Sequence, residues 1–102
     1  MALEISWSEI ALEDFERIYD YNASSGHIQK AERFRSRVLG LTELVAVFPK
    51  IGMKDPVNDA HRRMRLNDFY YIAYSIDEHT LMVEAIIPYQ MNRGQFSDND
   101  DD

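Results

Sequence analysis

The amino-acid sequence predicts an α+β domain in which a helical hairpin packs on one face of a β-sheet. Three observations carry that expectation. The chain opens on a short segment of strict apolar/polar alternation, and an apolar stripe of helical period later runs from Ala31 to Phe48. Beyond Pro49 the period falls to two and holds through three segments joined by short turns. The implied order is β-α-α-β-β-β, an N-terminal strand, two helices and a three-stranded antiparallel meander. With 102 residues, 45% of them hydrophobic and 12% aromatic, the chain can bury one core. We expect a single domain over residues 1–97 and an acidic tail over 98–102.

Each element has its own justification. Across Ala2–Trp7, residues Leu3, Ile5 and Trp7 fall on one face and Glu4 and Ser6 on the other, as in a half-buried strand. Ser8 is placed to cap the next helix, and Glu9 sets a carboxylate in its first turn, where the helix dipole favours it. Ala11, Phe15, Ile18 and Asn22, flanked by Leu12 and Tyr19, carry that helix to about Tyr21, and Asn22–Gly26 reads as a break. In the second helix Ala31, Phe34, Val38, Leu41, Val45 and Phe48 alternate steps of three and four, while Lys30, Arg33, Arg35 and Arg37 lie mostly off the stripe. Gly40 costs about 1 kcal/mol against Ala in a helix interior, which suggests close helix packing there. Pro49 stops the helix, and Lys50–Ala60 is expected as a loop. His61–Leu66, Phe69–Ile76 and Thr80–Ile87 then read as strands, with turns at Asn67-Asp68 and Asp77-Glu78-His79 and a stop at Pro88.

The formal net charge of -7 hides a strong segregation. Residues 1–29 carry six anions against Arg17, whereas residues 30–65 carry nine cations against four anions. Residues 66–97 are again acidic, and Asp98, Asp100, Asp101 and Asp102 close the sequence. A basic middle between acidic ends does not exclude a phosphate-bearing partner. Other classes fail on composition. The absence of cysteine removes disulfides, thiolate metal sites and cysteine nucleophiles, and fits a reducing cytoplasm. No apolar run approaches the ~20 residues of a membrane span, and the N-terminus lacks the features of a signal peptide. His27, His61 and His79 have no metal-ligand spacing, and phosphate-cradling glycine motifs and the nucleophile elbow are missing. We expect no metal and no cofactor.

Two groups of residues remain as candidate sites. In His61-Arg62-Arg63-Met64-Arg65, strand alternation sends Arg63 and Arg65 to one face and Arg62 and Met64 to the other. Those guanidiniums have two readings: contacts to phosphate or an acidic peptide, or salt bridges within the fold. Lys50, Lys54 and Arg93 are further cations that could join them. In the next strand Tyr70 and Tyr74 share one face, and Phe69 and Tyr71 the other, either as stacking platforms or as cross-strand packing. Tyr89, just past the last strand, could act as a general acid or base only if cations lowered its pKa from about 10; otherwise it packs over the strand end.

The order of these segments resembles the RelE/ParE superfamily of bacterial toxins, on its ParE or plasmid-stabilisation branch. The resemblance runs from Ile5 to about Arg93. It rests on the opening from Ser8 to Tyr19, on Ala31-Glu-Arg-Phe34 leading to Phe48-Pro49-Lys50-Ile51-Gly52, and on the arginine-bearing strand. Phe69–Asp77 and Thr80–Ile87 complete it. It implies a toxin held inactive by a co-expressed antitoxin, whose flexible segment covers the helices and sheet. RelE-like members cut mRNA on the ribosome, and ParE-like members poison DNA gyrase. Arg63 is the best match to the family's strand arginine. Ser75 stands where many members carry Arg, and Pro88-Tyr89-Gln90 replaces the usual His-x-Arg element.

The first functional expectation is therefore a ParE-like toxin of a type II toxin–antitoxin system, inhibiting gyrase by binding and not by chemistry. The alternatives are a ribosome-dependent mRNA endonuclease using Arg63, Arg65 and Arg93 as phosphate clamps and Tyr89 as acid or base, and a non-toxic binding module of the same fold. Target or antitoxin contacts are expected at Arg62, Arg63, Arg65, Tyr70, Tyr74, Tyr89 and Arg93. Sequence-specific DNA binding and a membrane partner are not expected. The tail Asp98–Asp102 is expected to shield the arginine strand in the free protein.

Overall fold

The computed structural model describes residues 2–89. Within them the N-terminal alternation becomes β1 (Glu4–Trp7), and the two helical patterns become α1 (Glu9–Ser24) and α2 (Ile28–Val47). The remaining strands are β2 (Met53–Lys54), β3 (His61–Arg65), β4 (Tyr70–Asp77) and β5 (Thr80–Pro88). All five strands form one sheet in the order β1-β5-β4-β3-β2. β1 runs parallel to β5, with Trp7 opposite Val83, and the other pairs are antiparallel. A parallel pair requires a crossover, which the helical hairpin begins. The expected α+β architecture is borne out. The expected Lys50–Ala60 loop is corrected in one place: Met53 and Lys54 pair with Arg63 and Arg62. Two exposed residues are too few for alternation to mark a strand.

Local chemistry explains the helix ends. Ser8 caps α1 by accepting the Ala11 N–H at 3.0 Å, and its hydroxyl donates to the Glu84 carbonyl at 2.8 Å. Trp7 and Val83 are the last β1–β5 pair, so the rest of that β5 edge has no strand neighbour on the β1 side. α1 takes over there, and Asp14 accepts the Ile86 N–H at 3.0 Å. α1 also runs three residues into the expected break, to Ser24. Asn22 and Ser24 donate back to the carbonyls of Ile18 and Asp20, at 3.0 and 2.6 Å, so residues that usually signal a turn finish the helix instead. Gly26, at φ 84°, then closes it: the N–H groups of Gly26 and His27 donate to Ala23 and Asn22, the pattern of a Schellman cap.

The apolar stripe of α2 lands as its spacing dictates as far as Val45, whereas Phe48, at the C-cap, is exposed. Ala31, Phe34, Val38 and Val45 are buried against Ile72, Tyr74, Leu81, Val83 and Ile86 of the sheet. A stack of rings joins both helices to the sheet: Trp7 meets Phe15 edge-on at 5.9 Å, Phe15 stacks on Phe34 at 5.4 Å, and Phe34 meets Tyr70 at 6.2 Å. A bulge at Ala73/Tyr74 shifts the β5 partner from Ala85 to Val83. Val83 and Ile86 can therefore both face the helices, although three residues apart, and Glu84 and Ala85 are left on the other side. Gly40 meets nothing within 4 Å of where a Cβ would sit, so the close helix packing suggested by its presence is corrected.

One buried hydroxyl ties the loop after α2 to the sheet. Tyr74, 1% exposed, donates to the Pro49 carbonyl and accepts the Gly52 N–H, both at 3.0 Å. Arg62 reinforces the same turn, donating to Gly52 O at 2.7 Å and Lys50 O at 3.3 Å. A Cβ on Gly52 would overlap the Tyr74 hydroxyl and lie 2.8 Å from Arg63 O, so only glycine fits. Burial pushes the Tyr74 phenol above its usual pKa; the Gly52 N–H and the Arg62 charge oppose that shift in part.

Urea unfolding of three variants tests this packing. Gly52→Ala should lose about 1–3 kcal/mol by overpacking, whereas Gly40→Ala should gain about 0.5–1 kcal/mol. Tyr74→Phe should lose about 1–3 kcal/mol at neutral pH, because it strands two buried backbone groups. A phenol whose pKa is raised on folding contributes stability that is full below about pH 10 and lost as pH climbs through the folded-state value. The alkaline decline above about pH 10 should therefore be shallower in Tyr74→Phe than in the parent.

Candidate functional site

The sheet face away from the helices carries alternate residues of β3, β4 and β5. Pairing of β3 with β4 sets Arg63 opposite Ala73, Arg65 opposite Tyr71 and His61 opposite Ser75. At one end the Arg63 guanidinium lies over the Tyr71 ring, 5.0 Å from its centroid. Tyr89 adds a second ring, 5.3 Å from Tyr71. A cation over an aromatic face is held by the ring quadrupole, worth about 0.5–1 kcal/mol at an exposed site. At the other end Ser75 donates to a Glu84 carboxylate oxygen at 2.7 Å, and His61 Nε2 lies 3.9 Å from the same oxygen. Asn58 meets the second nitrogen of His61 at 3.3 Å. Ala73 sits between the two ends with no side chain beyond Cβ. The face thus has a cationic, aromatic end and a carboxylate end.

The expected site residues do not all meet there. Arg63, Tyr71 and Tyr89 do. Arg65 turns toward the β3–β4 turn, where it pairs with Asp68 and donates to Asn67 O at 3.3 Å. Arg62 points the other way and donates to the Gly52 and Lys50 carbonyls. Tyr74 is in the core, with its hydroxyl satisfied inside the protein, and it offers no surface to a partner. Tyr70 is half-buried edge-on to Phe34. Arg93 and the Asp98–Asp102 tail lie outside the described residues.

Two features went unread in the sequence. The Ser75–Glu84–His61 cluster depends on the bulge, which has no signature in composition. The second is a cleft around the end of the sheet, between the helical hairpin and the β3–β4 turn. Lys30, Arg33 and Arg37 of α2 line it together with Phe34, Tyr70, Arg65, Pro88 and Tyr89. Arg37 donates to the Leu66 carbonyl, which anchors α2 to the end of β3. The spacing of 30, 33 and 37 marks one helix face, yet among so many cations it reads as an ordinary solvated surface.

Comparison with known proteins agrees with this geometry. The family model of the ParE toxin of the type II toxin–antitoxin system parDE matches residues 5–93. Among solved structures, the chain is similar to one described as the chromosomal ParDE toxin–antitoxin system from P. aeruginosa. The TM-score is 0.70 at 13% identity, over 85% of this chain and 96% of that one. It is also similar to the YoeB dimer from Staphylococcus aureus, with TM-score 0.62 and 16% identity over 85% and 97% of the two chains. At these identities the structural likeness establishes the fold alone. No curated protein sequence matches the chain. The sequence match extends from β1 past the end of β5, and the resemblance drawn from segment order therefore holds: the chain belongs to the ParE toxin family of type II toxin–antitoxin systems.

Proposed function

We propose that this chain is a ParE-type toxin that acts in the cytoplasm by binding its target, with DNA gyrase as that target, and that a cognate antitoxin neutralises it. The observation that carries the binding reading is how few cations reach the open face: of the three β3 arginines, Arg62 is held by the Gly52 and Lys50 carbonyls and Arg65 pairs with Asp68, which leaves Arg63. Cleaving RNA requires a base for the 2′-hydroxyl, cations around the phosphorane-like transition state and an acid for the leaving oxygen. Here the open face presents Arg63 at one end and, across Ala73, a carboxylate held by Ser75 at the other. Glu84 and His61 are groups that can move protons, but a single guanidinium supplies little positive charge for a phosphorane-like transition state. The same mixture of guanidinium, carboxylate, imidazole and stacked rings suits a protein surface of matching mixed charge.

A second reading has one observation in its favour. Tyr89 is stacked on the ring that carries Arg63, so a phenol and a guanidinium stand together as a nuclease would use them. One substitution separates the readings. Expressed without its antitoxin, the protein should arrest growth and induce a DNA-damage response, purified protein should block supercoiling by gyrase, and Tyr89→Phe should keep both effects. Normal supercoiling at saturating protein would contradict the gyrase reading. Truncated transcripts on translating ribosomes, abolished by Tyr89→Phe, would establish the nuclease in its place. Harmless expression would leave a binding module without toxicity.

A further inference from the structure

We propose that the cleft between the helical hairpin and the β3–β4 turn is a docking site for the chain's own aromatic-acidic segment, Phe96–Asp102. The inference concerns the free protein and stands whichever target it meets. The cleft collects Lys30, Arg33, Arg37 and Arg65 against one carboxylate, Asp68, which is already paired with Arg65. Among the described residues Lys30 and Arg33 have no ion pair. Phe34 and Tyr70 line the cleft with these cations, and two further lining rings stand unusually bare: Tyr21 is 72% and Phe69 67% exposed. A row of cations beside aromatic rings selects a ligand with an aromatic anchor next to several carboxylates.

The sequence supplies that ligand at the site's own edge. Tyr89 lines the cleft, so the segment starting at Gln90 leaves from its rim. Residues 90–102 read Gln-Met-Asn-Arg-Gly-Gln-Phe-Ser-Asp-Asn-Asp-Asp-Asp, with Phe96 directly before the acidic run and Gly94 available for a reversal. Each residue adds up to about 3.5 Å of reach, so the stretch between Tyr89 and Phe96 is long enough to fold back. A short tether holds its end at an effective concentration in the millimolar range, so even a weak contact is substantially occupied. Exposed charge pairs of this kind contribute little each and are screened by salt, which gives the interaction a clear signature.

The geometry also relocates the expected shield. Arg62 is tied to the loop and Arg63 lies over Tyr71, whereas the cleft holds Lys30 and Arg33, without an ion pair among the described residues, beside Arg37 and Arg65. Docking there covers Lys30 and Arg33 until a competing acidic ligand displaces the segment.

The absence of cysteine from the chain makes the test direct. Ser97→Cys in the full chain gives one attachment point for a nitroxide label, and paramagnetic broadening of backbone amides then reports where the segment lies. At low salt, amides of residues 30–37 and 67–70 should lose most of their intensity. The loss should be reversed at about 1 M salt, where the Debye length falls to about 3 Å, and when Asp98, Asp100, Asp101 and Asp102 are all changed to Asn. Three results would overturn the proposal: no selective broadening at the cleft, broadening centred on β3 and the open face, or cleft broadening indifferent to salt and to the Asn changes.

Discussion

The Tyr74 hydroxyl is where the helical hairpin, the following loop and the sheet are locked to one another. It takes the Gly52 N–H and gives its proton to Pro49 O, so the chain leaving α2 must turn down onto β4 at one place. Gly52 is the residue that allows this approach, because any side chain there would occupy the space of the Tyr74 ring and the Arg63 carbonyl. Once that turn is fixed, Met53 and Lys54 fall into register with Arg63 and Arg62, and β3 is held on both sides. The arginine strand is thus held by its pairing with β4 on one side and by the Tyr74-anchored turn and β2 on the other.

That arrangement divides the arginines by role. Strand alternation sends Arg62 toward the loop carbonyls, where a guanidinium satisfies backbone oxygens that a turn would otherwise leave open. It sends Arg63 to the open face, over Tyr71, where it is held in place yet still available to a partner. Arg65, at the strand end, closes the β3–β4 turn through Asp68. The outward face is left with modest charge, Arg63 over Tyr71 toward one end and the Ser75-held Glu84 carboxylate at the other.

The elements with strong periodicity were legible in the sequence, and the reasons are physical. The α2 stripe repeats over six positions, and Ser8 has the right side chain at the right place to cap α1. What could not be read depends on contacts distant in sequence. β2 is two exposed residues defined wholly by its neighbour. The Asn22–Ser24 stretch prolongs α1 because its side chains bond back to helix carbonyls, although the same residues elsewhere form turns. At the site, alternation sorted Arg62 from Arg63 correctly, yet a partner contact was expected at Arg62 and Tyr74 because a loop waiting to be clasped has no one-dimensional signal. Glu84 reached the open face through a bulge, and the Lys30–Arg37 row acquired meaning only once the β3–β4 turn stood opposite.

We propose that the adjacent arginines Arg62 and Arg63 of β3 serve the framework and the target separately. The most direct measurement compares Arg62→Ala and Arg63→Ala, recording thermal midpoint and growth arrest for each. Arg62→Ala should lower the midpoint, while Arg63→Ala should keep a near-parental midpoint and lose growth arrest. Equal loss of stability in both variants, or full toxicity in Arg63→Ala, would contradict it.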